Sequence, residues 1–112
     1  MEVTSRLRDG VVILDLTGDL VGDRADLALR GWVQRVLDEG ATKILINLKG
    51  VVKVDGSGVA ELANAQTTVT SRGARLTLAS LPEKLANTLE MTSLNRVFEA
   101  YDNEDEAISS FS

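Results

Sequence analysis

Three features of the 112-residue sequence point to an α/β fold: one domain, 1–112, with a mixed, mostly parallel β-sheet, an N-terminal antiparallel hairpin and about four helices. The length suits a single core and is short for two. Apolar stretches with alternating spacing are separated by stretches with helical spacing, the order that yields parallel strands joined by right-handed crossovers. Near the start, Asp9-Gly10 lies between two β-type runs, which predicts a tight hairpin because both central positions of such a turn need positive φ.

The hairpin strands are residues 3–8 and 11–17. In the second, Val12, Leu14 and Leu16 share one face while Val11 and Ile13 share the other, so both faces are expected to be partly covered. Residues 18–22 read as a loop. From about Asp23 to Glu39, Leu29, Trp32, Val33, Val36 and Leu37 follow helical spacing, with Arg24, Asp26, Arg30, Gln34, Arg35 and Asp38 falling largely elsewhere; Gly40 marks the stop. Residues 42–48 form the next strand, with Ile44, Ile46 and Leu48 opposite Leu45. After Lys49-Gly50 comes a short extended piece, 51–54.

A second helix runs from Gly58 or Val59 to Arg72, with Val59, Leu62, Ala63, Gln66 and Val69 inward, and Gly73 ends it. Residues 74–79 are a strand. Ser80-Leu81-Pro82-Glu83 reads as a capping box with proline in the first turn of a third helix that reaches about Met91. Residues 97–101 form a short last strand. Asn103, with Glu106 three residues on, opens a final helix that turns Ala107, Ile108 and Phe111 inward.

Composition narrows the chemistry. The net charge is −5, which argues against nucleic acid, since phosphate binding needs a basic face, and gives no support for an anionic membrane surface. There is no cysteine and no histidine, so thiol nucleophiles, disulfides and the usual zinc sites are excluded; neither a metal nor a cofactor is expected. No stretch approaches the roughly 20 apolar residues of a membrane span, and the first residues do not read as a secretory signal. A cytoplasmic protein is the expectation.

The stretch VKVDGSGVAEL, residues 52–62, places a lone serine where a strand hands over to a helix. As an esterase nucleophile, Ser57 would need a Gly-x-Ser-x-Gly elbow and a histidine base, and has neither. Gly56 and Gly58 resemble part of a phosphate-binding loop but match no complete phosphate motif, and a structural role in a tight turn is the better account. Asp15, Asp19, Asp23, Asp26, Asp55 and Glu61 supply carboxylates whose spacing singles out no pair; Asp55 is best read as a helix cap, and Trp32 as core. Two readings of Ser57 stay open: a regulatory phosphate acceptor, and a cap of the helix.

Val54-Asp55-Gly56-Ser57-Gly58-Val59 resembles the signature of STAS domains, of the type found in bacterial anti-sigma factor antagonists. Leu16-Thr17-Gly18-Asp19-Leu20 is similar to the family's Leu-x-Gly-Glu/Asp-Leu loop, and Ile44-Leu45-Ile46-Asn47-Leu48 to its central strand. Ser71-Arg72-Gly73-Ala74-Arg75-Leu76 and Met91-Thr92-Ser93-Leu94 with Val97-Phe98 resemble later junctions, so the likeness spans nearly the whole chain. It implies a STAS-like fold and a non-enzymatic role in transcription regulation by partner switching: binding an anti-sigma factor of the serine-kinase type, with phosphorylation ending the binding. A monomer or weak dimer is expected. The implied partner-binding residues are Asp55, Gly56, Ser57, Gly58, Glu61, Asn64 and Asp19, with Asn64, Glu61 and Thr68 expected to be exposed.

Two departures stand out. The family's phosphorylated serine directly follows the aspartate, and that position is Gly56; Ser57 matches the second hydroxyl position. Val21 stands where many members carry aspartate. Three outcomes stay open: Ser57 as acceptor, constitutive binding, or a phosphorylation-independent STAS scaffold or ligand-sensing module in a signalling or transport assembly.

Overall fold

In the computed structural model the hairpin forms as the Asp-Gly pair requires. Strands β1 (Glu2–Arg8) and β2 (Val11–Leu20) pair antiparallel, and Asp9 and Gly10 take φ of 52° and 79° between them. The structure describes residues 1–111, and of residues 22–27 the backbone alone; the side chains of Asp23, Arg24 and Asp26 lie outside that description.

The remaining elements follow in the expected order: α1 (Gly22–Asp38), β3 (Lys43–Val54), α2 (Gly56–Ser71), β4 (Arg75–Ala79), α3 (Glu83–Met91), a 3-10 turn Leu94–Arg96, β5 (Glu99–Tyr101) and α4 (Glu104–Ser109). The five strands lie in sequence order across one sheet, and every pair after the first is parallel. With strands added one beside the next in one direction, three right-handed crossovers put α1, α2 and α3 on the same face. The main core forms there, from Leu14, Leu16, Ile44, Ile46, Leu76 and Leu78 of the sheet against Leu29, Val33, Leu62, Val69, Leu85 and Leu89 of the helices. On the other face Val11, Ile13, Leu45 and Ala79 meet Ala107 and Ile108 of α4. The alternation within β2 thus reports two covered faces.

Four expectations change. β2 continues through the predicted loop to Leu20, because Gly18, Asp19 and Leu20 pair with Val51, Lys53 and Val54 across two register shifts. The two extended pieces at 42–48 and 51–54 are one strand, β3; Gly50, read as a break, lies so close to the Leu16 carbonyl that a Cβ would stand 2.9 Å from it. The capping box at Ser80 does not form. Ser80 adopts φ of 58° and donates its N–H to the Tyr101 carbonyl, and Pro82 occupies the cap position of α3. The last strand is shorter than expected because residues 97 and 98 belong to the turn that delivers buried Phe98 to the core. Trp32 is half-buried against the core, with Arg35 stacked 5.0 Å from its ring centre.

An ion-pair network ties the hairpin to α4. Arg6 bonds Asp15 at 2.6 Å and also holds Glu104, while Arg8 reaches Glu104 at 2.6 Å and Asp105 at 2.8 Å. Arg6 foremost, with Arg8 and against partial burial, holds the Glu104 carboxyl down to about 2, and Arg6 likewise lowers that of Asp15. No helix among the described residues is long and apolar enough to cross a membrane.

Candidate functional site

The bend between β3 and α2 is fixed by its own residues. Asp55 is extended, with φ −116° and ψ −175°, and one side-chain oxygen accepts the Gly58 N–H at 3.0 Å. That bond satisfies one of the free amides of a helix start. The cap is therefore Asp55; Ser57 does not serve as one, and α2 begins two residues earlier than expected, with Gly56 and Ser57 already in its first turn. From the other side, the Asp55 N–H points to the Leu20 carbonyl at 3.4 Å. Gly58 is buried against the same group: a Cβ there would stand 2.0 Å from the Leu20 oxygen. Only a residue without a side chain lets α2 come this close to β2.

Asp55, Gly56 and Ser57 are exposed, so the bend lies open rather than beneath other elements. A Cβ at Gly56 would meet no atom within 4 Å. Asp19, also exposed, precedes Leu20 and is paired in register with Lys53, which brings it to the same end of the sheet.

Glu61 corrects an expectation. It is only 4% exposed, and its Oε1 accepts from Arg30 at 2.8 Å and from Asn64 at 3.2 Å. Its place is the seam between α1 and α2, at a cleft of about 230 Å³ that Asn64 and half-buried Thr68 also line. Glu61 bridges the two helices instead of facing outward.

One feature of the surface was missed from sequence. Along α2 the exposed residues are Gly56, Ser57, Ala60, Asn64, Thr67, Thr70 and Ser71, and none is charged. Ser57 and Asn64 are seven residues apart, which places them on one side of the helix about 10 Å apart along its axis. On α1 the exposed residues include Arg30, Arg35 and Asp38, and on α3 Glu83, Lys84 and Glu90. The signal in the sequence was a run of 16 helical residues whose one charge, Glu61, proves to be buried.

A family model described as the STAS domain matches residues 2–107. The chain belongs to the STAS domain family. It is 29% identical to a Thermotoga maritima protein described as a candidate anti-sigma factor antagonist, over 92% of this chain and 91% of that one. The crystal structure of a Thermotoga maritima protein of that description superposes with a TM-score of 0.81 at 26% identity, covering 96% of this chain and 92% of the other. The Bacillus cell fate determinant SpoIIAA, in a structure of its phosphorylated form, shares the fold: TM-score 0.73, 18% identity, 99% and 100% covered.

Proposed function

We propose that this STAS domain is an anti-sigma factor antagonist: a non-enzymatic protein of the bacterial cytoplasm that binds an anti-sigma factor through residues 55–58 and the exposed side of α2. The resemblance to the Thermotoga protein supports the class. The observation that carries the site is the uncharged exposed side of α2, continuous with an open, rigidly mounted bend. Covering neutral groups avoids the desolvation penalty of burying charges, and short side chains lose little rotamer freedom. Asp19, on β2, lies at the same end of the sheet as this surface, and Asn64 lies within it. Glu61 supports the surface from behind.

Binding is measured by titration calorimetry against a bacterial anti-sigma factor of the serine-kinase type. Ala60→Arg and Thr67→Glu put charges on exposed positions of α2 and leave the contacts of Glu61 in place, and each is expected to weaken binding at least about tenfold. Unchanged affinity in both variants would overturn the assignment of the surface.

Gly56 favours a second reading, in which binding is not switched by phosphorylation at the family's usual position. Moving the acceptor one residue along a helix turns its direction by about 100°, so a kinase that grips this bend would present its phosphate donor to the wrong side of Ser57. Intact mass after incubation with a family kinase and ATP separates the readings. Wild type is expected to stay unmodified, and Gly56→Ser, for which there is room, to gain one phosphate. Rapid gain of one phosphate by wild type, lost in Ser57→Ala, would instead establish Ser57 as the acceptor.

A further inference from the structure

The outer edge of β1, seven residues long, pairs with nothing among the described residues, whereas β5 at the opposite margin offers three. An open edge of this length is normally blunted by charged side chains, proline, a bulge or a covering element. β1 contains no proline, its register with β2 is unbroken from Glu2 to Arg8, and its three charges, Glu2, Arg6 and Arg8, share one face of the strand and leave the other uncharged.

The turn fixes which backbone groups are free. In a two-residue hairpin the closing pair, here Arg8 and Val11, exchanges both backbone hydrogen bonds, and bonded and non-bonded pairs then alternate. Glu2, Thr4, Arg6 and Arg8 therefore spend their amides and carbonyls on β2, while Val3, Ser5 and Leu7 direct theirs outward. The side chains divide by the same parity. Arg6 and Arg8 lie on the α4 face, where they meet Glu104. Val3, Ser5 and Leu7 lie on the α1 face. Leu7 is 74% exposed there, beside a trough of about 450 Å³ lined by Ser5, Val12, Trp32 and Val36.

We propose that β1 pairs antiparallel with β1 of a second copy of this chain, about a two-fold axis through Ser5. In this register Glu2 stands opposite the partner's Arg8, Val3 opposite the partner's Leu7 and Thr4 opposite the partner's Arg6. Opposite charges meet on one face and apolar side chains on the other, and each such pair stabilises antiparallel strands. The outward groups of Val3, Ser5 and Leu7 all find partners. Centring on Thr4 or Arg6 leaves Leu7 or Val3 without an opposite inside the strand. The two copies of Arg6 meet only diagonally, and each is already neutralised by Asp15 and Glu104. The sheet runs on through both protomers, and Leu7 loses its exposure against the partner's Val3. The bends at Asp55 stay free, because they lie beyond β2 and not on the joined edge.

Sedimentation velocity over a concentration series tests this. Wild type is expected to pass from monomer to dimer as concentration rises. Ser5→Pro removes an amide that points away from β2, so the hairpin keeps its bonds while the symmetric Ser5 pair is lost; the dimer dissociation constant should rise at least about tenfold. Leu7→Lys, at an exposed position, should do the same, and it keeps the proposal testable if the proline variant loses its fold, as circular dichroism would show. A wild type that stays monomeric at millimolar concentration overturns the proposal, and so does a dimer that survives the folded variants.

Discussion

Replacing Gly58 by alanine adds one methyl group where the structure leaves no room for it. The new carbon would stand 2.0 Å from the Leu20 carbonyl oxygen and 2.9 Å from Leu20 Cγ, where ordinary contact begins at 3.4 Å. The first obstacle is backbone, so no rotamer change relieves it. α2 must back away from β2 by over an ångström, and this draws the Gly58 N–H off the Asp55 carboxylate, now 3.0 Å away. Overpacking of a well-filled contact costs about 1–3 kcal/mol, and loss of an aspartate cap about 1 kcal/mol more. The sum is about 3 kcal/mol, or a fall in Tm of roughly 12 °C at roughly 4 °C per kcal/mol for a chain of this size. Gly56→Ala is the matched control: two residues away in the same turn, with nothing within 4 Å of the added carbon. Alanine there restricts the unfolded chain and should be neutral or stabilise by about 0.5 kcal/mol. Urea unfolding followed by circular dichroism gives both values. If the two variants differ by less than about 0.5 kcal/mol, the tight mounting of α2 on β2 is wrong.

Two further outcomes follow from the ion pairs. Arg30→Ala leaves buried Glu61 with Asn64 alone and should cost about 1–2 kcal/mol, less than for a fully buried pair because Arg30 is 59% exposed and water replaces it in part. Adding Glu61→Leu to that variant should recover most of the loss, and a double-mutant cycle in urea checks the recovery. The second outcome concerns acid. The Glu104 carboxyl ordinarily titrates at 4.5 and is held at about 2 in the fold, so on acidification the unfolded chain takes up this proton first. Its contribution is complete above about pH 4.5 and is lost as pH falls toward about 2, and Asp15, shifted the same way, adds to the slope. Glu104→Gln should be less stable at neutral pH and show a flatter fall in that window; an unchanged slope of urea midpoint against pH would refute the network.

The sequence was most legible where one local signal had one geometric solution. Asp9-Gly10 admits a tight hairpin, and the two apolar faces of β2 required cover on both sides. Asn103 three residues before Glu106 gave a cap that forms, at 2.9 Å. Legibility failed where a distant contact decided. Ser80 and Glu83 have the capping-box spacing, but Ser80 is committed to Tyr101, and sequence spacing carries no trace of that bond. Lys49-Gly50 resembles a loop until β2 is laid beside it. At the site, Asp55 was readable as a cap. The burial of Glu61 was not, because it depends on Arg30 arriving from another helix. The uncharged side of α2 was written in the composition of the helix but acquired meaning only once Glu61 was seen to be hidden.

The geometry of the bend also says how a charge placed there must act. Residues 56 and 57 lie in the first turn of a 16-residue helix, where the dipole favours negative charge. Both are exposed, and at Gly56 nothing stands within 4 Å of an added Cβ. A phosphate or an aspartate at either position therefore leaves the fold intact and somewhat favours α2. Asp55 and Gly58 remain locked to one another and to Leu20 beneath it. If such a charge abolishes binding, the cause is on the partner's side: repulsion, or an ion buried without a counter-charge against a neutral surface. The neutrality of α2 and the rigidity of the bend are thus two halves of one device. The bend holds its shape whatever charge it carries, and along the exposed side of α2 no other charge of that helix offsets it.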